Sequence, residues 1–194
     1  MQNYKTIISI LAVVLMVFAY IPYIRDIFKK KTTPHSFSFF IWGFGSLLIY
    51  ALQVKGGAGV GAWVTLGVSL VSIFIFFLSL WFGEKTITRS DIVFFVLALI
   101  ALLLWVVVKQ PVLSVILIVL VDILGFAPTI RKSWDKPHSE TLFLYEMSAF
   151  RHALAILALE QFNILTLLNP VTWTLANGLF AIFLLARRKH LAKD

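Results

Sequence analysis

Long apolar runs, each closed by a charged or Gly/Pro-rich break, dominate the chain. The main breaks fall at 29–34, 55–59, 84–91 and 131–140. A bilayer core about 30 Å thick needs about 20 apolar residues per helical crossing. The pattern therefore predicts an all-α polytopic membrane protein with seven transmembrane helices, at 6–28, 36–54, 60–82, 92–108, 112–130, 141–159 and 164–186. The fourth is the shortest, and its run 94–108 is almost entirely Leu, Val, Ile, Ala and Phe, which predicts a lipid-facing linker helix with no pocket to line. The first has only Lys5 ahead of it and ends in Tyr20-Ile21-Pro22-Tyr23 without a small-residue cleavage site, so it reads as a span rather than a signal peptide.

Composition supports lipid as the solvent. Of 194 residues, 60% are hydrophobic and 13% charged, with a mean hydropathy of +0.94. So few polar side chains could not cover a water-exposed surface. The absence of cysteine excludes disulfides, thiolate nucleophiles and Cys-based zinc or iron–sulfur sites. The net charge of +8 is distributed unevenly along the chain. With seven crossings, 13 of the 17 Lys and Arg residues fall on one side, 3 (Lys5, Lys55, Lys109) on the other, and Arg151 lies inside a span. By the positive-inside rule the amino terminus is expected outside and the carboxyl terminus in the cytoplasm, most simply in a plasma (inner) membrane. An odd number of crossings is what that orientation requires. The basic segment 187–193 reads as an anchor of helix 7 to lipid headgroups, and no nucleic-acid motif accompanies the charge.

The chain also repeats itself. Pro22-Tyr23-Ile24-Arg25 is echoed by Pro128-Thr129-Ile130-Arg131, and Pro34-His35-Ser36 by Pro137-His138-Ser139. Trp63 and Trp173 stand in corresponding places in spans 3 and 7. The expected organisation is a first three-helix repeat (1–84), an inverting linker helix (85–109), and a second, parallel three-helix repeat with the basic tail (110–194), a 3+1+3 plan. On these residues, Pro22 to Ser38 and the weaker copy from Pro128 to Thr141, the chain resembles the PQ-loop/SWEET (MtN3) superfamily of membrane transporters. It carries Tyr23 and Thr129 where the family's name-giving Gln stands. The resemblance implies a small-ligand cavity between two repeats, alternating access, and ligand contact by an Asn on helix 7, here Asn177; the corresponding place in helix 3 is Gly67.

Polar residues at bilayer depth cost about 2.5–3.5 kcal/mol each on insertion scales when charged, so they mark cavities or partners. Asp122, Glu146, Arg151, His152 and the uncharged Asn177 fall in one layer near the midplane, Asp122 and Asn177 about 13 Å from their cytoplasmic ends at 1.5 Å per residue. At 100° per residue, Tyr145, Ser148 and His152 share a stripe with Arg151 beside it. Glu146 and Arg151 diverge by about 140° and cannot pair along the helix. Asp122 is the expected partner of Arg151, in either a permanent bridge or one exchanged with substrate or proton. Glu146, without a cation, is a candidate for proton coupling unless it faces cytoplasmic water. His152 is a second candidate unless it hydrogen-bonds a neighbouring helix.

Pro22 and Pro128, with Tyr23 and Thr129 beside them, are gate hinges or static kinks. Trp63 and Trp173 are outer gates or interface anchors. Trp42 and Tyr145, in matched places after the two Pro-His-Ser starts, are expected to flank the cavity with aromatic faces. Ser36 and Ser139 are expected N-caps, which explains His35 and His138 better than metal ligation does.

The function this predicts is carriage of a small polar solute (sugar, amino acid or nucleoside-like), with Asp122, Arg151, Asn177, Trp42, Tyr145 and Ser148 at the substrate. The alternative is a seven-helix receptor or regulatory protein that binds a ligand without moving it. No nucleophile–base constellation or metal-ligand set points to an enzyme, and no cofactor or metal is expected. The expected partners are the solute and membrane lipids. A 3+1+3 chain forms its pathway alone, so oligomers are optional.

Overall fold

A computed structural model describes residues 2–30, 34, 36–83, 88–135, 137–140 and 142–191, apart from the side chains of residues 2, 91, 127–129, 131–132, 135, 139 and 191. His35, Thr141 and the side chains of Pro128, Thr129 and Ser139 thus lie outside the described part.

The described chain is helical throughout: α1 (Gln2–Phe28), α2 (Ser36–Lys55), α3 (Trp63–Phe82), α4 (Arg89–Val106), α5 (Pro111–Asp135), α6 (Leu142–Ala158) and α7 (Ile164–Leu191). Short 3-10 turns at Gly59–Ala62 and Pro137–Ser139 precede α3 and α6. Each apolar run of the sequence is one helix. The ends of α5 and α7 differ most, reaching Asp135 and Leu191, because nothing in their basic terminal segments breaks a helix and cations suit a helix C-terminus. Among the described residues, four stretches are long and apolar enough to cross a membrane, Asn3–Phe28, Ser36–Lys55, Gly59–Phe82 and Ile164–His190. Shorter apolar helical stretches occupy Ile92–Val106 and Pro111–Phe126. Large aliphatic and aromatic side chains cover the outer surface, among them Ile7, Phe18, Trp81, Leu157 and Leu179, as befits a hydrocarbon environment.

The packing has a definite order. α3 packs between α1 and α2, and α7 between α5 and α6. Contacts α1–α6 and α2–α5 close the six helices into a ring, and α2–α7 and α3–α6 cross it. Exchanging α1, α2, α3 with α5, α6, α7 turns every one of these contacts into another member of the set. Small residues allow the close approaches: a Cβ on Gly43 would stand 2.8 Å from Ile73 Cγ1, and Ser69 Oγ donates to the Gly43 carbonyl at 2.8 Å across the same α2–α3 seam.

α4 stands outside the ring against α5 and α2, fastened by Ser114 Oγ donating to the Ala101 carbonyl at 2.7 Å. It corrects the expectation of a helix with no pocket to line. Phe95, Leu99 and Trp105 of α4 face Phe44 and Leu48 of α2 and Ile118 of α5 across an apolar crevice of about 400 Å³. A run without polar residues carries no sign of which apolar positions leave space between them.

The two ends of the ring are built differently. At one, the α2–α3 and α6–α7 connections are laced together. Asn163 Nδ2 donates to the Gly56 carbonyl at 2.7 Å, the Glu160 amide to Ala58 at 3.1 Å, and Lys5 Nζ to Leu159 at 2.6 Å. Gly61 fits here because a Cβ would meet the Leu159 backbone nitrogen at 2.8 Å. At the basic end, Arg187 lies over the Trp134 ring at 4.7 Å, and Arg188 donates to the carbonyls of Pro137 and Glu140. Both arginines of the tail therefore fasten the α5–α6 connection.

Candidate functional site

The buried face of α6 is Tyr145, Ser148, Arg151, His152, Ala155 and Ala158, the stripe that helical phase predicts. Phe143, Glu146 and Phe150 point the other way and are exposed. Glu146 is thereby corrected as a member of the inner polar cluster. One residue on from Tyr145 it is turned by about 100°, away from the ring.

Arg151 is 4% exposed and faces α1, with its guanidinium carbon 5.6 Å from the centre of the Tyr20 ring. Its Nε and Nη1 have no hydrogen-bond partner, nor has Nδ1 of the adjacent His152. Asp122 is 2% exposed and lies on another seam. Trp173 of α7 supplies its side-chain hydrogen bond, while Oδ1 has no partner. Two glycines bring α2 against α5 here: a Cβ on Gly45 would lie 3.5 Å from Asp122 Oδ1, and one on Gly125 would lie 3.5 Å from Trp42 Nε1.

The expected Asp122–Arg151 bridge is therefore corrected. Among the described residues, the ion pair that forms is Arg25–Asp26 at 3.1 Å. The reason lies in the order of packing: α7 stands between α5 and α6, so Asp122 turns to α2 and α7 while Arg151 turns to α1.

The other expected site residues divide between the same regions. Tyr145 packs its ring 4.6 Å from Phe180 and donates its hydroxyl to Glu140 Oε2 at 2.7 Å. Trp42 packs edge-on to Phe39 at 5.4 Å, in a separate aromatic cluster that includes Tyr20 and Tyr23. The two rings thus belong to different clusters. Asn177 is buried, and its Nδ2 donates to the Trp173 carbonyl at 2.7 Å within α7. Ser148 is buried between Tyr145 and His152 on the α6 stripe. Trp63, the first residue of α3, is 40% exposed, the position of an interface anchor, whereas Trp173 is half-buried against Phe126. Pro22 lies inside α1, which continues to Phe28. Gly67 admits the Met16 methyl, 2.5 Å from where a Cβ would stand.

Sequence reasoning missed three participants. Tyr20 holds the guanidinium, but the partner sought for Arg151 was an anion. Glu140, just ahead of α6, receives the Tyr145 hydroxyl. Gln53 of α2 is 1% exposed and directs its Nε2 to the Thr166 carbonyl of α7 at 3.4 Å. That carbonyl is free because Pro170, four residues on, has no N–H to give it.

Among the described residues no group of three or more His, Asp or Glu side chains is placed to hold a metal. Compared with known proteins, the chain matches no family model, no curated protein and no solved structure.

Proposed function

We propose that this protein is a membrane carrier for a small polar solute, of the PQ-loop/SWEET kind. It crosses the bilayer seven times with its basic end in the cytoplasm, and it works by rocking two three-helix units joined by α4. The observation that carries the reading is a set of ionisable side chains, Asp122 and Arg151 with His152 beside it, buried in the ring with polar atoms left unpartnered. Buried polar groups in a folded protein are satisfied, so unfilled valences at bilayer depth call for a ligand or water that visits. The exchange relation among the helix contacts supports the two-unit plan, since matched units can swap roles between two states. Positioning falls to α6 and α5, which bring Arg151 and Asp122 to the two seams between the units. Trp173 orients Asp122, and Tyr20 orients Arg151.

The laced α2–α3 and α6–α7 connections favour a second reading, a receptor that binds without translocating, because they hold one end of the ring shut. Proteoliposome flux separates the two. A carrier moves at least one solute from a panel of sugars, amino acids, organic acids and nucleosides faster than empty liposomes do, whereas a receptor binds one and moves none. No flux for any solute that the purified protein binds would overturn the carrier.

A further inference from the structure

Acting as a carrier requires a solute whose charge suits the site, and Arg151 and His152 restrict that choice. Resting on the carrier reading, we infer that the solute is a small organic carboxylate, its oxyanion held by Arg151 with His152 beside it.

The argument starts from donor inventory. A guanidinium offers only N–H donors, so the unpartnered Nε and Nη1 of Arg151 are filled only by an acceptor. Among the described residues, the acids nearest this region are already engaged or turned away. Asp122 sits on the α2–α5 seam with its hydrogen bond to Trp173. Glu140 takes the Tyr145 hydroxyl, and Glu146 is exposed on the far side of α6. From α1 the neighbour of Arg151 is Tyr20, whose ring face offsets part of the charge and whose side chain hydrogen-bonds the guanidinium while leaving Nε and Nη1 open. A residue 4% exposed is thus left with a full positive charge and two open donors. Burying a charge without a counterion is among the most expensive arrangements a fold can hold.

A neutral sugar would fill the donors with hydroxyl oxygens and leave the charge uncompensated. A carboxylate does both, and guanidinium geometry matches it in a forked pair. His152 Nδ1, open on the next residue, adds a third polar atom at the same level. The aromatic face of Tyr20 beside the guanidinium suits an organic body behind the acid better than a bare inorganic ion.

The test uses the full-length protein purified in detergent, with thermal stability read against small monocarboxylates, with and without an amino group, neutral hexoses, phosphate and chloride. The expected result is that at least one carboxylate raises the melting temperature of the wild type and no hexose does. Arg151→Gln should weaken that binding roughly thirtyfold or more, and Arg151→Lys should restore part of it. Stabilisation by hexoses without carboxylates overturns the inference, as does stabilisation by phosphate or chloride alone. Carboxylate binding unchanged in Arg151→Gln overturns it too. The wild-type comparison stands even if the variants do not fold. Flux distinguishes this failure from that of the carrier: hexose transport without carboxylate binding removes the oxyanion and keeps the carrier, whereas carboxylate binding without flux keeps the oxyanion and removes the carrier.

Discussion

If Arg151 is held by the Tyr20 ring rather than by Asp122, the two pairs must differ in energetic coupling, and a double-mutant cycle measures that difference. The substitutions are Tyr20→Leu, Asp122→Asn and Arg151→Met, singly and in the two pairs that share Arg151. Met keeps most of the length of the arginine side chain while removing its charge. The guanidinium carbon stands 5.6 Å from the Tyr20 centroid at a site 4% exposed, where a cation over an aromatic face contributes about 1–2 kcal/mol. Tyr20 and Arg151 should therefore couple by about that amount. Asp122 and Arg151, on separate seams, should add to within about 0.5 kcal/mol. A buried ion pair would behave otherwise, since removing one partner costs about 3–5 kcal/mol and removing the second recovers much of it. Arg151→Met alone should be neutral or stabilising, because it removes an uncompensated buried charge. The assay is reversible unfolding by SDS titration in mixed micelles without added solute. Coupling above about 1.5 kcal/mol between Asp122 and Arg151, with none between Tyr20 and Arg151, would refute the assignment of partners and with it the order of packing that explains it.

Four further outcomes follow from the geometry. Gly61→Ala places a methyl 2.8 Å from the Leu159 backbone nitrogen and should cost about 1–3 kcal/mol by overpacking. Gly125→Ala, with its nearest neighbour at 3.5 Å, should cost less than about 0.5 kcal/mol, both read by the same SDS unfolding titration. Glu146→Gln should leave both stability and any pH dependence of flux unchanged, because that side chain is exposed away from the ring; a flattened pH profile in proteoliposomes would return it to the site. Gln53→Leu should cost less in a Pro170→Ala background than in the wild type, by about 0.6 kcal/mol, because alanine supplies the N–H that Thr166 lacks; equal costs in the two backgrounds would deny the link.

Where the sequence was informative, one helix at a time sufficed. The apolar runs mark seven helices, and phase alone separates Tyr145, Ser148 and His152 from Glu146. Partners were another matter. Periodicity says which face of a helix is buried and nothing about which helix it is buried against, so pairing Asp122 with Arg151 on depth assumed that α5 and α6 are neighbours. They flank α7 instead. The free Thr166 carbonyl was readable without the fold, since a proline inside a helix frees the carbonyl four residues back, but its pairing with Gln53 was not. Tyr20 was hidden for a chemical reason: a buried cation can be flanked by an aromatic side chain, which offsets only part of its charge, as well as by an acid, and only the second announces itself as a charge.

The same reasoning indicates what the site is for. Arg151, held by the Tyr20 side chain, keeps its Nε and Nη1 unfilled, and Asp122, held by one indole, keeps its Oδ1 unfilled. Had these two charges paired with each other, both would be spent and a ligand would have to break a buried bridge to enter. Kept apart by α7, each stays available on its own seam between the units. On the proposed carrier reading, solute binding would compensate a charge that the protein alone leaves open, and the free energy of that compensation would be available to bias one packing of the six-helix ring over another.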